Sequence, residues 1–408
     1  MGTDGAAEDI PWQPPSAVEQ RLYDAGSAGE WDTYLAVLAG TDIFLPTSRE
    51  LSDAAGAFTP PFPYTPFHDP RFKGLSLPAF TRGALPPPTA DRVFERVDLR
   101  HLSRALPRSI RWLALNPGTP AETFLPADAR RWRRAAKAPV AEERLKTLWN
   151  GHRSGPLAHG MACGALLMVN NGAPWNQLGW QSGGYSEERA LLRRWWGVGS
   201  RAEWQTMQRR LLRREVISPA WEFVLRIRQA MILEVGAVPE AAQWRETAER
   251  IILSRTAEVV DQTGRPPGFD LDADIALVQD LIGRVLRYEA RFRADGLLDQ
   301  GACVRSVISW DIGRASCMAR WGLGARYSSV AETEAAVLRA GAVARQAYRS
   351  WADFATGYIL GRCLHFDSEE FGDWYTEMRE AHRILSTHQE SPWLSVPWEQ
   401  PAAERTER

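Results

Sequence analysis

The strongest constraint on this chain is a succession of apolar-periodic runs in its second half: 201–214, 219–235, 240–262, 271–294, 302–322, 331–350 and 351–366. Each repeats its large apolar residues at three- and four-residue spacing, the signature of a helix that buries one face. The punctuation agrees. Ser200 and Glu203 form a capping box ahead of the first run, Ser218 precedes Pro219 at the start of the second, and Gly264 with "RPPG" ends the third. Seven helices in series, without an intervening strand pattern, leave no place for βαβ units. This part of the chain is expected to be all-α.

The first third has a different texture. Val18, Leu22, Trp31, Tyr34, Leu35 and Leu38 mark two short amphipathic helices broken at "AGSAGE". Then "TDIFLP" (41–46), "LSLPAFT" (75–81) and "SIRWLALNPG" (109–118) form short β-type runs, and the segment "FTPPFPYTPFHDP" carries too much proline for a central strand. A further helix is expected near 126–137. The expected organisation is a tail at 1–15, an α+β domain at 16–130, a charged linker or helix at 131–150, a larger and mainly all-α domain at 151–400, and a tail at 401–408. The order of helix, "TDIFLP", "LPAFTRGALPP" and "SIRWLALNP" resembles the SseB-like N-terminal domain of bacteria over residues 16–130. That resemblance implies an α+β module and supplies no catalytic residues.

Composition narrows the function classes. The net charge is −1, and Lys73, Lys137 and Lys146 are the only lysines, so no global basic footprint marks nucleic acid or an anionic membrane as a partner. The basic start of "RWRRAAKAPVAEERLKTLWN" (131–150) reads as a solvated face. No run of 18 apolar residues occurs, and "MGTDGAAEDIPWQPP" lacks the basic and apolar regions of a secretory signal. A cytoplasmic protein is expected. Cys163, Cys303, Cys317 and Cys363 form no CxxC pair and are expected to be free thiols.

Motifs that would carry chemistry are weak. Asp270, Asp272 and Asp274 have calcium-loop spacing, but Ile275 stands where glycine is required and Leu281 where a bidentate glutamate is required, so the acids read as a helix start. His159, Cys163, Cys363 and His365 are metal-ligating types, with the first two one helical turn apart. The two pairs lie some 200 residues apart, and no metal or other cofactor is expected. No GxGxxG after a strand, GxxxxGK[ST], GxSxG or HExxH is present.

One position breaks pattern. Around the run 302–322, Val304, Val307, Ile308, Ala315 and Met318 share a narrow face, and Asp311 falls at its centre. Trp310, Arg314 and Trp321 flank it, with Gly313 and Arg320 opposite. A carboxylate there must be paired and hydrogen-bonded. Arg314 is one turn along. In "SWADFATGYILGRCLHF", Tyr358, Arg362 and His365 lie on or beside the face that carries Gly361, a residue that suggests a close helix crossing. The expectation is a buried polar network in which Asp311, Arg314, Tyr358, Arg362 and His365 converge. The functional alternative makes Asp311 and His365 catalytic, with arginine as an anion binder.

"LAHGMACGALLMVNNGAPWN", "RRWWGVGSRAEW", "SWDIGRASCMARWG", "SWADFATGYILGR" and "SPWLSVPW", in this order, resemble bacterial domain of unknown function family 1266 over residues 145–400. The resemblance implies a helical domain and supplies no mechanism. Two function classes follow. The first is a non-enzymatic interaction or regulatory protein, of adaptor or immunity type, whose partner is another protein; the many Trp and Arg residues favour it. The second is a hydrolase-type enzyme with a buried Asp/His/Arg site. An open cleft at Asp311 favours the enzyme, and an enclosed network favours the scaffold.

Overall fold

The computed structural model describes residues 12–55, 65–137, 144–179, 183–263 and 270–399. Residues 1–11 and 401–408 of the expected tails, most of the proline-rich segment and the helix stop at Gly264 lie outside them. The chain forms two compact units. The first falls within residues 1–152, 176–201 and 321–330, and the second within 153–175, 202–320 and 331–408.

The first unit opens with α1 (Ala17–Ser27), whose Val18 amide donates to the Ser16 hydroxyl, and α2 (Trp31–Ala39). β1 (Ile43–Ser48), α3 (Arg49–Ala55), β2 (Phe67–His68), β3 (Leu75–Thr81), β4 (Arg92–Val97), α4 (Leu99–Ala105), β5 (Ile110–Leu115), β6 (Thr123–Pro126) and α5 (Ala129–Ala135) follow. The sheet order is β4-β1-β3-β5-β6, with β2 on β3. All pairings are antiparallel except β3 with β5. The three strands read from the sequence are β1, β3 and β5. β4, in "RVFERV", was not anticipated, because it lacks the apolar density of the others.

Side-chain alternation puts Ile43 and Leu45 on one sheet face and Phe44 on the other. The first face buries Leu22, Tyr34, Leu35, Leu38 and Trp132 from the helices, and the second buries Phe44, Phe80, Val93 and Phe94 with Tyr185. Pro78 is tolerated inside β3 because β1 pairs with that strand only at Phe80 and Thr81, and β2 only at Leu75 and Ser76. Tyr185 begins α8 (Tyr185–Trp196), which follows α6 (Gly155–Ala162) and α7 (Ala165–Asn170) of the second unit.

Among the described residues, the regular elements of the second unit are helices. α9 (Arg201–Leu212), α10 (Pro219–Val235), α11 (Ala241–Thr263), α12 (Leu271–Ala294), α13 (Ile308–Gly324), α14 (Val330–Ala347), α15 (Trp351–Phe366), α16 (Asp373–Thr387) and α17 (Pro392–Ser395) supply it, with Arg201, Trp321–Gly324 and Val330 counted in the first unit. Pro219 occupies the first turn of α10, where its missing N–H costs nothing, and the Asp270 carboxylate caps α12 by accepting from the Ala273 amide at 3.2 Å. One expectation needs correction: the run 302–322 becomes helical only at Ile308. Glu289 accepts the Val304 amide at 2.7 Å and Glu222 accepts the Val307 amide at 2.6 Å, so these backbone donors are committed outside a helix.

Candidate functional site

Every residue of α13 from Ile308 to Arg320 is buried, so the helix has no solvent face at all. A helix enclosed all round explains its composition of small and apolar residues. It also corrects the expectation that Gly313 and Arg320 point away from the core. Arg320 is enclosed and donates to the Pro174 carbonyl at 2.6 Å. α9 packs along α13 and donates Trp204 Nε1–H to the Met318 carbonyl at 3.0 Å and the Gln208 amide to the Ala315 carbonyl at 3.1 Å. α6 receives the Ser316 hydroxyl on its Gly160 carbonyl at 2.8 Å.

α15 crosses on another side, and glycines let it approach. A methyl group at Gly361 would stand 2.9 Å from Trp310 Cβ, one at Gly357 2.3 Å from the Ser306 carbonyl oxygen, and one at Gly313 2.6 Å from the Tyr358 ring. Only the absence of a Cβ permits these separations.

Asp311 sits in this layer with none of its surface exposed. Its Oδ2 accepts the backbone amides of Val216 and Ile217 at 3.0 and 3.1 Å, from the turn between α9 and α10. Its Oδ1 accepts from Arg314 Nη2. The Arg314 guanidinium lies 3.4 Å from the Trp310 ring centroid, and its Nε donates to the Trp310 carbonyl at 3.2 Å. Burial pushes the Asp311 carboxyl up, against the pull of Arg314 and the two amides. Burial also lowers Arg314, against the pull of Asp311. Both directions mark a pair whose desolvation is costly and whose partners hold each other in place.

The other residues of the expected network go elsewhere. Tyr358 is fully buried beside Gly313, its hydroxyl has no hydrogen-bond partner among the described residues, and burial raises its pKa. Arg362 does not reach Asp311: it donates to Glu377 at 3.4 Å and lies 5.0 Å from the Trp374 ring. A helix presents its residues around 360°, and position 362 faces α16 rather than α13. His365 is exposed and lies tilted at 49° against Trp310, with ring centroids 5.0 Å apart, beside Trp221 and Phe366. It makes no hydrogen bond with Asp311 among the described residues. Trp321 is counted with the first unit, where its ring lies 6.1 Å from that of Trp196.

The four metal-ligating candidates do not meet. His159 packs on Trp351, at the start of α15, whereas His365 lies near its end, about 21 Å further along the helix axis. The Cys163 thiol donates to the His159 carbonyl at 3.4 Å. No group of three or more His, Cys, Asp or Glu side chains suited to a metal occurs among the described residues. His159 Nδ1 lies 3.3 Å from the Pro397 carbonyl. Burial depresses the His159 pKa to about 4, with the Pro397 bond opposing and Arg345 assisting.

A second buried ion pair escaped the sequence reading. Arg228 and Glu289, each only 1% exposed, join through two hydrogen bonds of 2.9 and 2.6 Å. Arg228 also donates to the Val304 carbonyl at 2.9 Å, and its guanidinium stacks 4.3 Å from the Trp244 ring centroid. No described helix is long and apolar enough to cross a membrane.

The profile of a family described as "Protein of unknown function (DUF1266)" matches residues 191–398. No curated protein and no solved structure matches the chain.

Proposed function

The chain belongs to the DUF1266 family of proteins of unknown function, and from that premise we propose that it is a cytoplasmic, non-enzymatic interaction or regulatory protein of adaptor or immunity type. The observation that carries this reading is the enclosure of Asp311. Both carboxylate oxygens are engaged by Arg314, Val216 and Ile217, and no surface remains for a substrate. A general acid or nucleophile must reach the reacting atom directly or through one water. A carboxylate with no exposed surface, clamped by three internal donors, is suited to fixing how α9, α10 and α13 meet.

The surface of the helical unit supports the same reading. Leu233, Val235, Val238, Leu253, Val259 and Leu277 are exposed on α10, α11, α12 and the α10–α11 turn. A groove of about 390 Å³ at that turn is lined by Met231, Val235, Val238 and Pro239 together with Glu240, Gln243, Glu246 and Arg250, so apolar and charged side chains share it, as at a protein-binding surface. The SseB-like kinship of residues 16–130 belongs to this proposal too and rests on the sequence motifs alone.

The test is affinity purification of the tagged full chain from its own cells with cross-linking and mass spectrometry. The reading expects one protein recovered in stoichiometric amount, retained by Asp311→Asn and lost in Leu233→Glu combined with Leu277→Glu. Turnover of generic ester or phosphoester substrates that Asp311→Asn abolishes, with no fall in melting temperature, would replace it with the hydrolase.

A further inference from the structure

The first unit gathers an arginine cluster from three distant segments. Arg49 and Asp53 lie on α3, Tyr185 and Arg189 on α8, and Arg326 and Tyr327 on the segment after α13, all within this one unit. Asp53 is the carboxylate at the centre. Its Oδ1 accepts the Tyr185 hydroxyl at 2.7 Å and Arg189 Nη1, and its Oδ2 lies 3.6 Å from Arg49 Nε. Arg189 also bonds the Tyr185 hydroxyl at 3.0 Å and the Tyr327 hydroxyl at 3.3 Å. Arg326 holds a left-handed backbone (φ 61°) and anchors two of its nitrogens on the Leu323 and Arg92 carbonyls, each at 3.0 Å.

These groups carry three positive charges and one negative. The tyrosines are buried floors, at 1% and 5% exposure, while the side chains of Arg49, Asp53 and Arg189 remain 41%, 38% and 30% exposed. Arg49, Asp53 and Arg189 therefore reach solvent beside two buried tyrosines, while Arg326 is half-buried and adds its charge from its anchored position. Burial and the neighbouring Arg49 depress the Arg326 pKa to about 10, against Tyr185, as expected where like charges crowd in a partly dry site. Guanidinium forks present paired N–H donors that match the oxygens of a phosphoryl group. Tyr185 and Tyr327 lie against Arg189, with its guanidinium 5.4 and 5.9 Å from their ring centroids, so their faces are not free to stack a base.

We propose that the Arg49–Arg189–Arg326 cluster is a binding site for a phosphoryl oxyanion, recognised through its charge and oxygens and not through an attached ring. The source of the group is either free phosphate or a phosphomonoester, and the experiment separates them. The full chain is titrated at low salt with inorganic phosphate and, in parallel, with phosphoserine, followed by calorimetry and ³¹P NMR, with chloride at matched ionic strength as the control. Saturation of one site by inorganic phosphate assigns free phosphate, and saturation by phosphoserine alone assigns a phosphomonoester. Arg49→Ala is expected to weaken binding by at least about tenfold, the loss of one charge-assisted contact, and Arg49→Lys by less, since it keeps charge without the fork. Arg49 is substantially exposed, with a 3.6 Å separation from Asp53, so its variants are expected to melt with the wild type in chloride. No saturation by either probe up to about 10 mM, a bound corresponding to very weak affinity, overturns the proposal. Binding that is unchanged in Arg49→Ala overturns it as well.

Discussion

Replacing Asp311 by alanine removes one carboxylate and leaves three donors without their acceptor. Arg314, 8% exposed and stacked on Trp310, loses its carboxylate partner while it stays buried. The amides of Val216 and Ile217 lose the oxygen they share. Breaking a buried ion pair from one side costs about 3–5 kcal/mol. Val216 is only half-buried, so its amide can recover a water, and about 4 kcal/mol is the expected loss on that scale. For a unit of this size each kcal/mol moves the midpoint by about 2–4 °C, so the transition of the helical unit should fall by about 8–16 °C in calorimetry. Asp311→Asn keeps an oxygen for the two amides and presents an NH₂ to Arg314, so it should lose roughly half as much. Asp311→Leu combined with Arg314→Met should recover most of the loss, because removing both charges also removes their desolvation cost. Neutralising Arg362 should recover none, since that side chain turns to Glu377. An unchanged or higher midpoint in Asp311→Ala, or rescue through Arg362, would refute this reasoning.

Three further outcomes are expected. His159 titrates at about 4 when folded and near 6.5 when unfolded, so the unfolded chain takes up the proton first as pH falls. Its contribution is complete above about pH 6.5 and is lost toward pH 4, by up to about 3 kcal/mol, and urea unfolding at pH 7 and 5 should show a shallower decline in His159→Phe. Gly357→Ala, whose methyl would meet the Ser306 carbonyl oxygen at 2.3 Å, should destabilise by about 1–3 kcal/mol and by more than Gly361→Ala, whose methyl would meet Trp310 Cβ at 2.9 Å; equal stabilities would contradict the crossing geometry. Burial raises all four thiols, Cys317 to about 12, and Cys303 alone is not fully buried. A thiol reagent should therefore modify Cys303 alone in the folded chain, and a stoichiometric zinc signal lost in Cys163→Ser would overturn that picture.

The helices of the second unit were legible because each carries its own periodicity and punctuation. Pro219 starts α10 and Asp270 caps α12 through local chemistry alone. Asp311 stood out because a carboxylate in an apolar stripe demands partners, and Arg314, within the same turn, was within reach of sequence reasoning. What escaped was everything decided by distant chain. The amides of Val216 and Ile217 come from a turn about 95 positions away, and nothing local marks them as acceptor-seeking. Arg228 and Glu289 sit on separate helices in amphipathic surroundings that read as ordinary solvated charge. The placement of Arg362 against α16 depended on which neighbour packs on each side of α15. The onset of α13 moved to Ile308 because Glu222 and Glu289 claim backbone donors that a propensity reading assigns to the helix. β4 was missed for a related reason: Glu95 is buried within it and accepts from Ser52, and from the Ser186 hydroxyl at 2.7 Å, so a charged residue stands in a core position.

The central claim is that the Asp311 carboxylate is sealed inside the helical unit and holds it together. Native-state hydrogen exchange at the Val216 and Ile217 amides reads this directly, since both donate to Oδ2. The account predicts strong protection of the Ile217 amide in the wild type, with exchange only through large-scale opening of the unit, and loss of that protection in Asp311→Ala. Fast exchange of Ile217 in the intact wild-type chain would mean that solvent reaches the carboxylate, and the enclosed-network account would be wrong.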